Sequence, residues 1–292
     1  MPRQRDIPII PCKIGPETRR RIDEYAEALK AIAPSVGGHG LEPDKFWDSG
    51  LFHAAIEQLR GAKAASMAEK RGFVRDVLDW LAQKNLIAEW KIAGADDRHD
   101  YELRLPDGRL SVIETKGCLD GNNTNIFQRP PHADEFVIWS LCQNAGSDPR
   151  HNVWSGIHTH LSAEIIHEKV VIDGLIVWDQ VCNSLGRPCP KIEGGTERLT
   201  LIGDRQVPPP CIYLFPRTVP DPRSNPAPTV HQIEEVGFLN VLHKAFGGLP
   251  EELTQIEITA QMQGANIARK TTLRRAGSEL RTSRLTKIKR AR

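Results

Sequence analysis

Residues 100–116 read Asp100-Tyr-Glu-Leu-Arg-Leu-Pro-Asp-Gly-Arg-Leu-Ser-Val-Ile-Glu-Thr-Lys116, and this stretch decides the fold. Two β-patterned runs flank Pro106-Asp107-Gly108, a combination that predicts a turn because proline presets φ and glycine adopts the left-handed conformation. The natural loop is a type I turn with Gly108 as a G1 bulge, which places Leu105 opposite Arg109. The sequence therefore predicts an antiparallel hairpin.

The register of this hairpin determines which polar side chains share a face. Counting along the ladder places Asp100 opposite Glu114, and residues that are opposite or two apart lie on the same face. We therefore expect Asp100, Glu114 and Lys116 on one side, where they can hold a divalent cation beside a water nucleophile. A two-residue loop would instead put Asp100 opposite Thr115 and turn it to the other face.

An ordinary solvated hairpin is the simpler alternative, with these charges on its wet face. Leu110, Val112 and Ile113 argue against it, because they make the second run apolar on both faces, as in a covered central strand. Charged groups at the end of a buried strand need partners or a metal. The functional interpretation is therefore favoured.

The overall composition is that of a soluble globular protein, with 39% hydrophobic and 26% charged residues. A chain of 292 residues can form one large domain or two small ones. No apolar run approaches about 18 residues, and no hydrophobic signal core follows the first residues. We expect a cytoplasmic protein without membrane contact.

The six cysteines include no Cys-x-x-Cys pair, which indicates mostly structural thiols in a long intracellular chain. One alternative is a zinc site formed by three histidines and three downstream cysteines, namely His158, His160, His167, Cys182, Cys189 and Cys211. Their spacings fit no standard zinc pattern. Structural hydrogen bonds from His158 and His160, or their contact with a polar ligand, are therefore favoured.

The charge is unevenly distributed. Residues 269–292 hold ten Lys or Arg and one acid, Glu279, although the net charge of the whole chain is only +2. A basic tail on a mildly acidic body is typical of proteins that bind a polyanion, although a solvated terminus has the same composition. The spacing of Leu273, Leu280, Leu285 and Ile288 predicts a weakly amphipathic helix, which could alternatively pack into the core.

Periodicity along the rest of the chain predicts helices that begin at Pro16 and lie near residues 43–60, 64–84, 132–144, 159–168 and 229–246. Besides the hairpin, strands are predicted at residues 86–92, 170–178 and 211–215. Eight of the 21 prolines fall within residues 208–228, which indicates a rigid connection. The expected regions are a helical N-terminal region (1–63), a core (64–215), and a Pro-rich connection with a basic C-terminal region (216–292).

The order helix, three meandering strands, helix and strand, with Asp100 on the second strand and Glu114-Thr115-Lys116 on the third, resembles the PD-(D/E)XK nuclease superfamily. The resemblance covers residues 64–180. It implies an α/β fold whose mixed central sheet contains an αβββαβ restriction-endonuclease-like core. His99 replaces the proline of the motif, which leaves the ligand chemistry intact. The literal Pro106-Asp107 is not the motif, because Asp107 is needed at the hairpin tip.

The resemblance implies a role for each matching residue. Asp100 and Glu114 would bind Mg²⁺, or Mn²⁺ as a substitute, with the Thr115 carbonyl as a further ligand. Lys116 would orient the attacking water and stabilise the developing negative charge. Glu69 matches an acidic residue that the family often places on the helix before the sheet, although a solvated helix charge is an equal alternative.

The implied activity is Mg²⁺-dependent hydrolysis of double-stranded DNA, as in a homodimeric type II restriction endonuclease or a related defence nuclease. Alternatives are a repair, transposition or junction-resolving nuclease of the same fold, and a non-catalytic DNA-binding module. Candidate DNA contacts come from the polar loop after Lys116 and from the basic tail: Asn122, Asn123, Gln128, Arg129, Arg274, Arg275, Arg281 and Arg284.

Overall fold

The computed structural model describes residues 16–63, 67–94, 97, 99–117, 119, 126, 128–141, 153–178, 198–203 and 205–288. The predicted Asn122, Asn123, Cys182 and Cys189 lie outside these ranges.

Helices form the N-terminal part, as the sequence predicts. They are α1 (Pro16–Ile32), α2 (Pro43–Asp48), α3 (Leu51–Lys63) and α4 (Met67–Gln83), with a 3-10 turn at Ala33–Ser35. The single helix expected over residues 43–60 is divided in two at Ser49 and Gly50. Gly50 has a φ of 74°, a conformation that interrupts a right-handed helix and that glycine adopts at no steric cost.

The later helices are short. A π-helical segment, Gly156–Leu161, continues into α5 (Ser162–His167), and residues 153–155 before it are also helical. We refer to residues 153–167 as the 153–167 helix. The 3-10 segment Ile233–Glu235 precedes α6 (Gly237–Ala245), and Pro250–Glu252 forms another 3-10 turn. The helices predicted near residues 159–168 and 229–246 are thus present, with shifted ends. Among the described residues, no helix has the length and apolar character needed to cross a membrane.

A ten-stranded mixed sheet forms the centre of the molecule. The strands in chain order are β1 (Glu89–Ile92), β2 (Tyr101–Arg104), β3 (Leu110–Lys116), β4 (Glu135–Ser140), β5 (Gly174–Val177), β6 (Thr200–Ile202), β7 (Arg205–Val207), β8 (Cys211–Leu214), β9 (Thr254–Gln263), β10 (Asn266–Arg275), β11 (Ser278–Thr282) and β12 (Thr286–Lys287). The large sheet has the order β1-β2-β3-β4-β5-β8-β9-β10-β11, with β12 also beside β10, while β6 and β7 pair separately. The predicted mixed α/β class is confirmed.

The large sheet contains both parallel and antiparallel neighbouring strands. Strand β4 is parallel to both β3 and β5, and β9 is parallel to β8, whereas the other neighbours are antiparallel. Strands β9–β12 extend the sheet that begins at β1, so the described residues after 216, which end at 288, continue the sheet of the preceding region.

The prediction of a helix near residues 132–144 is wrong, because Glu135–Ser140 forms β4. All six residues of β4 are buried, and its centre runs Phe136-Val-Ile-Trp139. A strand covered on both faces has no alternation of polar and apolar residues, so its pattern cannot be distinguished from that of a buried helix. Pairing with β3 and β5 makes this segment a strand.

The prediction that the basic tail is an amphipathic helix is also wrong. Residues 266–275 form β10, which pairs with β9 along its whole length, and the following residues form β11 and β12. Leu273 is fully buried in the core, and Leu280 and Ile288 pack against it, whereas Leu285 is exposed. Pairing in a hairpin with the preceding strand β9 overrides the spacing of apolar residues that predicted a helix. The alternative that the tail packs into the core is therefore the one observed.

The two faces of the sheet carry separate hydrophobic clusters. One contains Ile113 of β3 with α4 and α6, and the other contains Val112 of β3 with the 153–167 helix. Side chains alternate along a strand, so Glu114 and Lys116 share the face of Val112. Thr115 shares the face of Ile113, which is covered by α4.

Candidate functional site

The hairpin turn and its register are as predicted. Tyr101 pairs with Ile113 and Arg104 with Leu110, which is the ladder expected from the loop. The Leu105 backbone N–H donates to the Arg109 carbonyl at 2.9 Å. Gly108 has a φ of 92°, as a G1 bulge requires.

An ion pair occupies the end of β3. The Glu114 carboxylate and the Lys116 ammonium lie 2.8 Å apart, and both side chains are largely buried. Burial raises the pKa of Glu114, and the hydrogen bond from Lys116 opposes this change. The charge of Lys116 also lowers the pKa of Glu164 on α5, whereas burial of Glu164 has the larger, raising effect. Lys116 is thus placed near carboxylates of both the sheet and the 153–167 helix.

Asp100 lies at the same end of the hairpin, but its carboxylate takes a different direction from the one predicted. Its Oδ2 accepts hydrogen bonds from the Thr115 backbone N–H at 2.7 Å and from the Thr115 hydroxyl at 2.5 Å. Its Oδ1 pairs with Arg71 of α4 at 2.7 Å. Because Thr115 faces α4, the Asp100 carboxylate lies toward that side and not with Glu114 and Lys116.

An irregular hydrogen bond accompanies this change of direction. The Asp100 backbone N–H donates to the carbonyl of Ile113, the residue that already faces Tyr101 in the ladder. The regular alternation of β2 side chains between the two faces of the sheet therefore ends at Tyr101. The charge of Asp100 still raises the pKa of Glu114, so the two carboxylates remain electrostatically coupled.

A second polar cluster surrounds Glu102 of β2. Its carboxylate pairs with Lys91 at 2.8 Å and lies 3.1 Å from His99 Nε2 and 3.3 Å from His132 Nε2. The Lys91 hydrogen bond, helped by both histidines against the effect of burial, lowers the pKa of Glu102 to about 2. Asp97, His99 and Glu102 bring potential metal-ligand atoms within 4.8 Å of one another.

The sequence interpretation missed this cluster, because it treated His99 only as a replacement for proline. The available signal was an acid, a histidine and a second acid within six residues, at positions 97, 99 and 102. His132 comes from a distant part of the chain, and only folding brings it to Glu102.

Two further predicted residues lie on the expected elements. Asp107 sits at the hairpin tip, where its carboxylate accepts hydrogen bonds from the Arg109 backbone and guanidinium at 3.1 and 2.8 Å. This is the turn role assigned to it. Glu69 lies in the first turn of α4.

The described part of the polar loop after Lys116 leads away from the ion pair. Arg129 donates to the Asp134 carbonyl at 2.8 Å and pairs with Asp173 at 3.4 Å. Asp134 precedes β4 at the end where Ser111 pairs with Glu135, about 16 Å from Lys116 at 3.3 Å per residue. Gln128 is exposed. The geometry thus does not bring Arg129 to the Glu114–Lys116 pair.

The four tail arginines fall into two classes. Arg274 pairs with Glu257 at 2.8 Å, and Arg275 is buried and donates to the Thr254 hydroxyl at 2.8 Å. Arg281 and Arg284 instead line a cavity beside the 153–167 helix. Only the second pair directs its charge toward an open space.

The proposed histidine–cysteine zinc site receives no support from the described residues. His158 lines the same cavity as Arg281, and Cys211 is buried on β8. Within the part of the chain that the structure describes, His158, His160, His167 and Cys211 do not form a group of three potential metal ligands.

Comparisons with known proteins do not assign the chain to a family. No family model matches it, and neither the curated proteins nor the solved structures contain a significant match. The geometry of the hairpin end therefore carries the functional argument.

Proposed function

We propose that the protein is a metal-dependent endonuclease that hydrolyses DNA phosphodiester bonds with a site of the PD-(D/E)XK type. The observation that carries the proposal is the buried pair of Glu114 and Lys116, two residues apart on one face of β3. A buried carboxylate with a raised pKa beside a lysine is typical of functional sites. Asp100, at the same end of the hairpin, supplies the second carboxylate.

The order of elements around the pair supports the same assignment. Helix α4 precedes β1, β2 and β3, and the 153–167 helix lies between the parallel strands β4 and β5. The proposed core is therefore an αβββαβ unit, with β4 added before the second helix.

The donor atoms at the hairpin end fit a hard divalent cation. Asp100, Glu114 and the Thr115 carbonyl would hold Mg²⁺, or Mn²⁺ in its place, because Mg²⁺ prefers a few carboxylate and carbonyl oxygens completed by water and phosphate. When bound, such an ion lowers the pKa of a coordinated water and offsets phosphate charge. Binding through Asp100 would require its carboxylate to leave Arg71.

The chain's own residues account for the remaining chemistry. The Lys116 Nζ would donate to the attacking water and to a phosphate oxygen on which negative charge develops. Glu114 holds that ammonium in place at 2.8 Å. In the reaction, a bond forms from the water oxygen to phosphorus while that water gives up one proton to solvent, and the bond to the leaving sugar oxygen breaks while that oxygen takes one proton from solvent.

Within this class we favour a homodimeric type II restriction endonuclease or a related defence nuclease acting on double-stranded DNA. A second candidate is a DNA-binding protein with the same core and no activity. The contacts of Asp100 with Thr115 and Arg71 favour that alternative, since they occupy a carboxylate that the nuclease needs.

A plasmid digest separates these candidates. Supercoiled DNA would be incubated with the full chain in the absence of metal, with Mg²⁺ and with Mn²⁺. We expect metal-dependent conversion to nicked or linear DNA, with discrete fragments if cleavage is sequence-specific and a smear if it is not. Folded protein that binds DNA but leaves it intact with both metals would support the inactive module instead.

A further inference from the structure

A basic cavity of about 350 Å³ lies between the 153–167 helix and the C-terminal strands. We call it the arginine cavity, and the residues that define it here are Trp154, His158, Arg269, Arg281, Ser283 and Arg284. None of its described lining residues is acidic. Its electrostatic potential is therefore that of a site for an anion.

Arg269 provides the buried charge of the arginine cavity. It is only 5% exposed, and burial lowers the pKa of its guanidinium. The guanidinium donates to the Ser162 hydroxyl at 2.8 Å and to the carbonyls of His158 and Thr159 at 2.6 and 3.0 Å. These acceptors are neutral, and no described carboxylate forms an ion pair with Arg269. A buried cation without a counter-charge is costly, so an anion in the cavity would stabilise it.

Arg281 and Arg284 add two charges at the mouth of the cavity. The Arg281 guanidinium lies over the Trp154 ring, 4.9 Å from its centroid, and this cation–π contact holds the planar group in place. Its N–H groups remain at the edge of the plane, the geometry with which arginine binds phosphate oxygens. Arg284 is exposed beside it.

We propose that the arginine cavity binds a phosphate group of the nucleic acid, which deepens the proposed nuclease function and rests on it. Three guanidinium groups with serine and threonine hydroxyls nearby suit phosphate oxygens, and the volume suits a unit of nucleotide size. A backbone phosphate and a free mononucleotide share this chemistry.

The 153–167 helix connects the cavity to the proposed reaction centre. His158 lines the cavity. On the same helix, burial raises the pKa of Glu164, and the charge of Lys116 is close enough to oppose that rise. His158 and Glu164 are six positions apart, on the π-helical segment and on α5 respectively.

The test compares the loss of cavity charge with the loss of one paired charge elsewhere on the β10–β11 hairpin. Binding of a labelled duplex to the full chain would be measured by fluorescence anisotropy over a range of salt concentrations, with EDTA present. Arg281→Gln/Arg284→Gln is compared with Arg274→Gln, whose arginine is paired with Glu257. Thermal unfolding checks that each variant folds, and the single variant Arg284→Gln serves if the double variant does not.

We expect the double variant to bind duplex about tenfold more weakly, with the salt slope reduced by about 1 for one lost phosphate contact, while Arg274→Gln keeps the wild-type slope. Titration with dAMP then distinguishes a backbone phosphate from a free mononucleotide as the ligand. Binding by wild type that the double variant loses indicates a mononucleotide site, whereas a defect confined to the duplex indicates a backbone phosphate. The proposal would be overturned if the folded double variant bound the duplex and dAMP as the wild type does. It would also be overturned if Arg274→Gln lost as much duplex affinity as the double variant.

Because this binding assay omits divalent metal, it is independent of cleavage. A chain that binds phosphate through the cavity and never cleaves DNA would disprove the nuclease proposal alone. A chain that cleaves DNA but binds it equally well without Arg281 and Arg284 would disprove the cavity proposal alone.

Discussion

The Asp100 carboxylate accepts a 2.7 Å hydrogen bond from the Thr115 backbone N–H, and this contact determines the geometry of the hairpin end. Together with the ion pair to Arg71, it ties β2 to the end of β3 and to α4. Glu114 and Lys116 form their own pair on the other face. Metal binding by both carboxylates would therefore compete with Arg71 for Asp100.

The first prediction concerns this competition. Replacing Arg71 with Ala should strengthen Mg²⁺ binding by up to about fivefold, because a partly exposed ion pair that opposes binding is worth about 0.2–1 kcal/mol. Asp100→Asn should weaken Mg²⁺ binding instead. Isothermal titration calorimetry measures both affinities, and an unchanged affinity in Asp100→Asn would remove this residue from the metal site.

The second prediction concerns catalysis. Lys116→Ala should abolish DNA cleavage and leave duplex affinity nearly unchanged, because the lysine acts on the transition state. Asp107→Asn is the matched control, since that side chain contacts Arg109 at the hairpin tip. Its activity should equal that of the wild type. Single-turnover cleavage rates compare the variants, and full activity of Lys116→Ala would exclude the assigned role.

The third prediction concerns acid stability. The pKa of Glu102 is about 2 in the folded protein and 4.5 for an unperturbed glutamate. Its ionised form therefore stabilises the fold above pH 4.5, and this contribution is lost as the pH falls toward 2. The expected loss is up to about 3 kcal/mol, at 1.36 kcal/mol for each pKa unit. Urea denaturation should show a smaller loss over this range in Glu102→Gln than in the wild type.

The fourth prediction distinguishes the structural part of the tail from its surface. Leu273→Ala should lower the free energy of unfolding by about 2–5 kcal/mol, because its side chain is fully buried. Leu285→Ala, at a position where the side chain is 42% exposed, should change it by no more than about 0.5 kcal/mol. Chemical denaturation measures both values. Equal stability of the two variants would show that the tail does not contribute to the core.

Deletion of residues 269–292 extends this comparison. This deletion removes most of β10, which pairs with β9. We expect the truncated chain to unfold at a lower denaturant concentration than the full chain. A truncated chain of unchanged stability would contradict the packing of Leu273.

Local chemistry by itself determined the hairpin, its register and the long N-terminal helices. Pro106, Asp107 and Gly108 specify a turn within a few residues, and the ladder from Leu105 to Tyr101 follows from its geometry. Helices α1 and α4 follow from the spacing of apolar residues, which is also a local property. The pairing of Glu114 with Lys116 required only their separation by two positions on one strand.

Only the tertiary structure decided the features that depend on distant residues. Helix α4 brings Arg71 to Asp100 and turns that carboxylate toward Thr115, although the predicted register is present. Strand β4 forms because β3 and β5 cover its edges, and β10 replaces the predicted helix because β9 pairs with it. The arginine cavity likewise needs the 153–167 helix beside the last strands. For Asp100, β4 and the arginine cavity, the deciding contact joins residues far apart in the chain. For β10 it is a hairpin with the preceding strand β9, and in none of these cases does the spacing of apolar residues within the segment encode the contact.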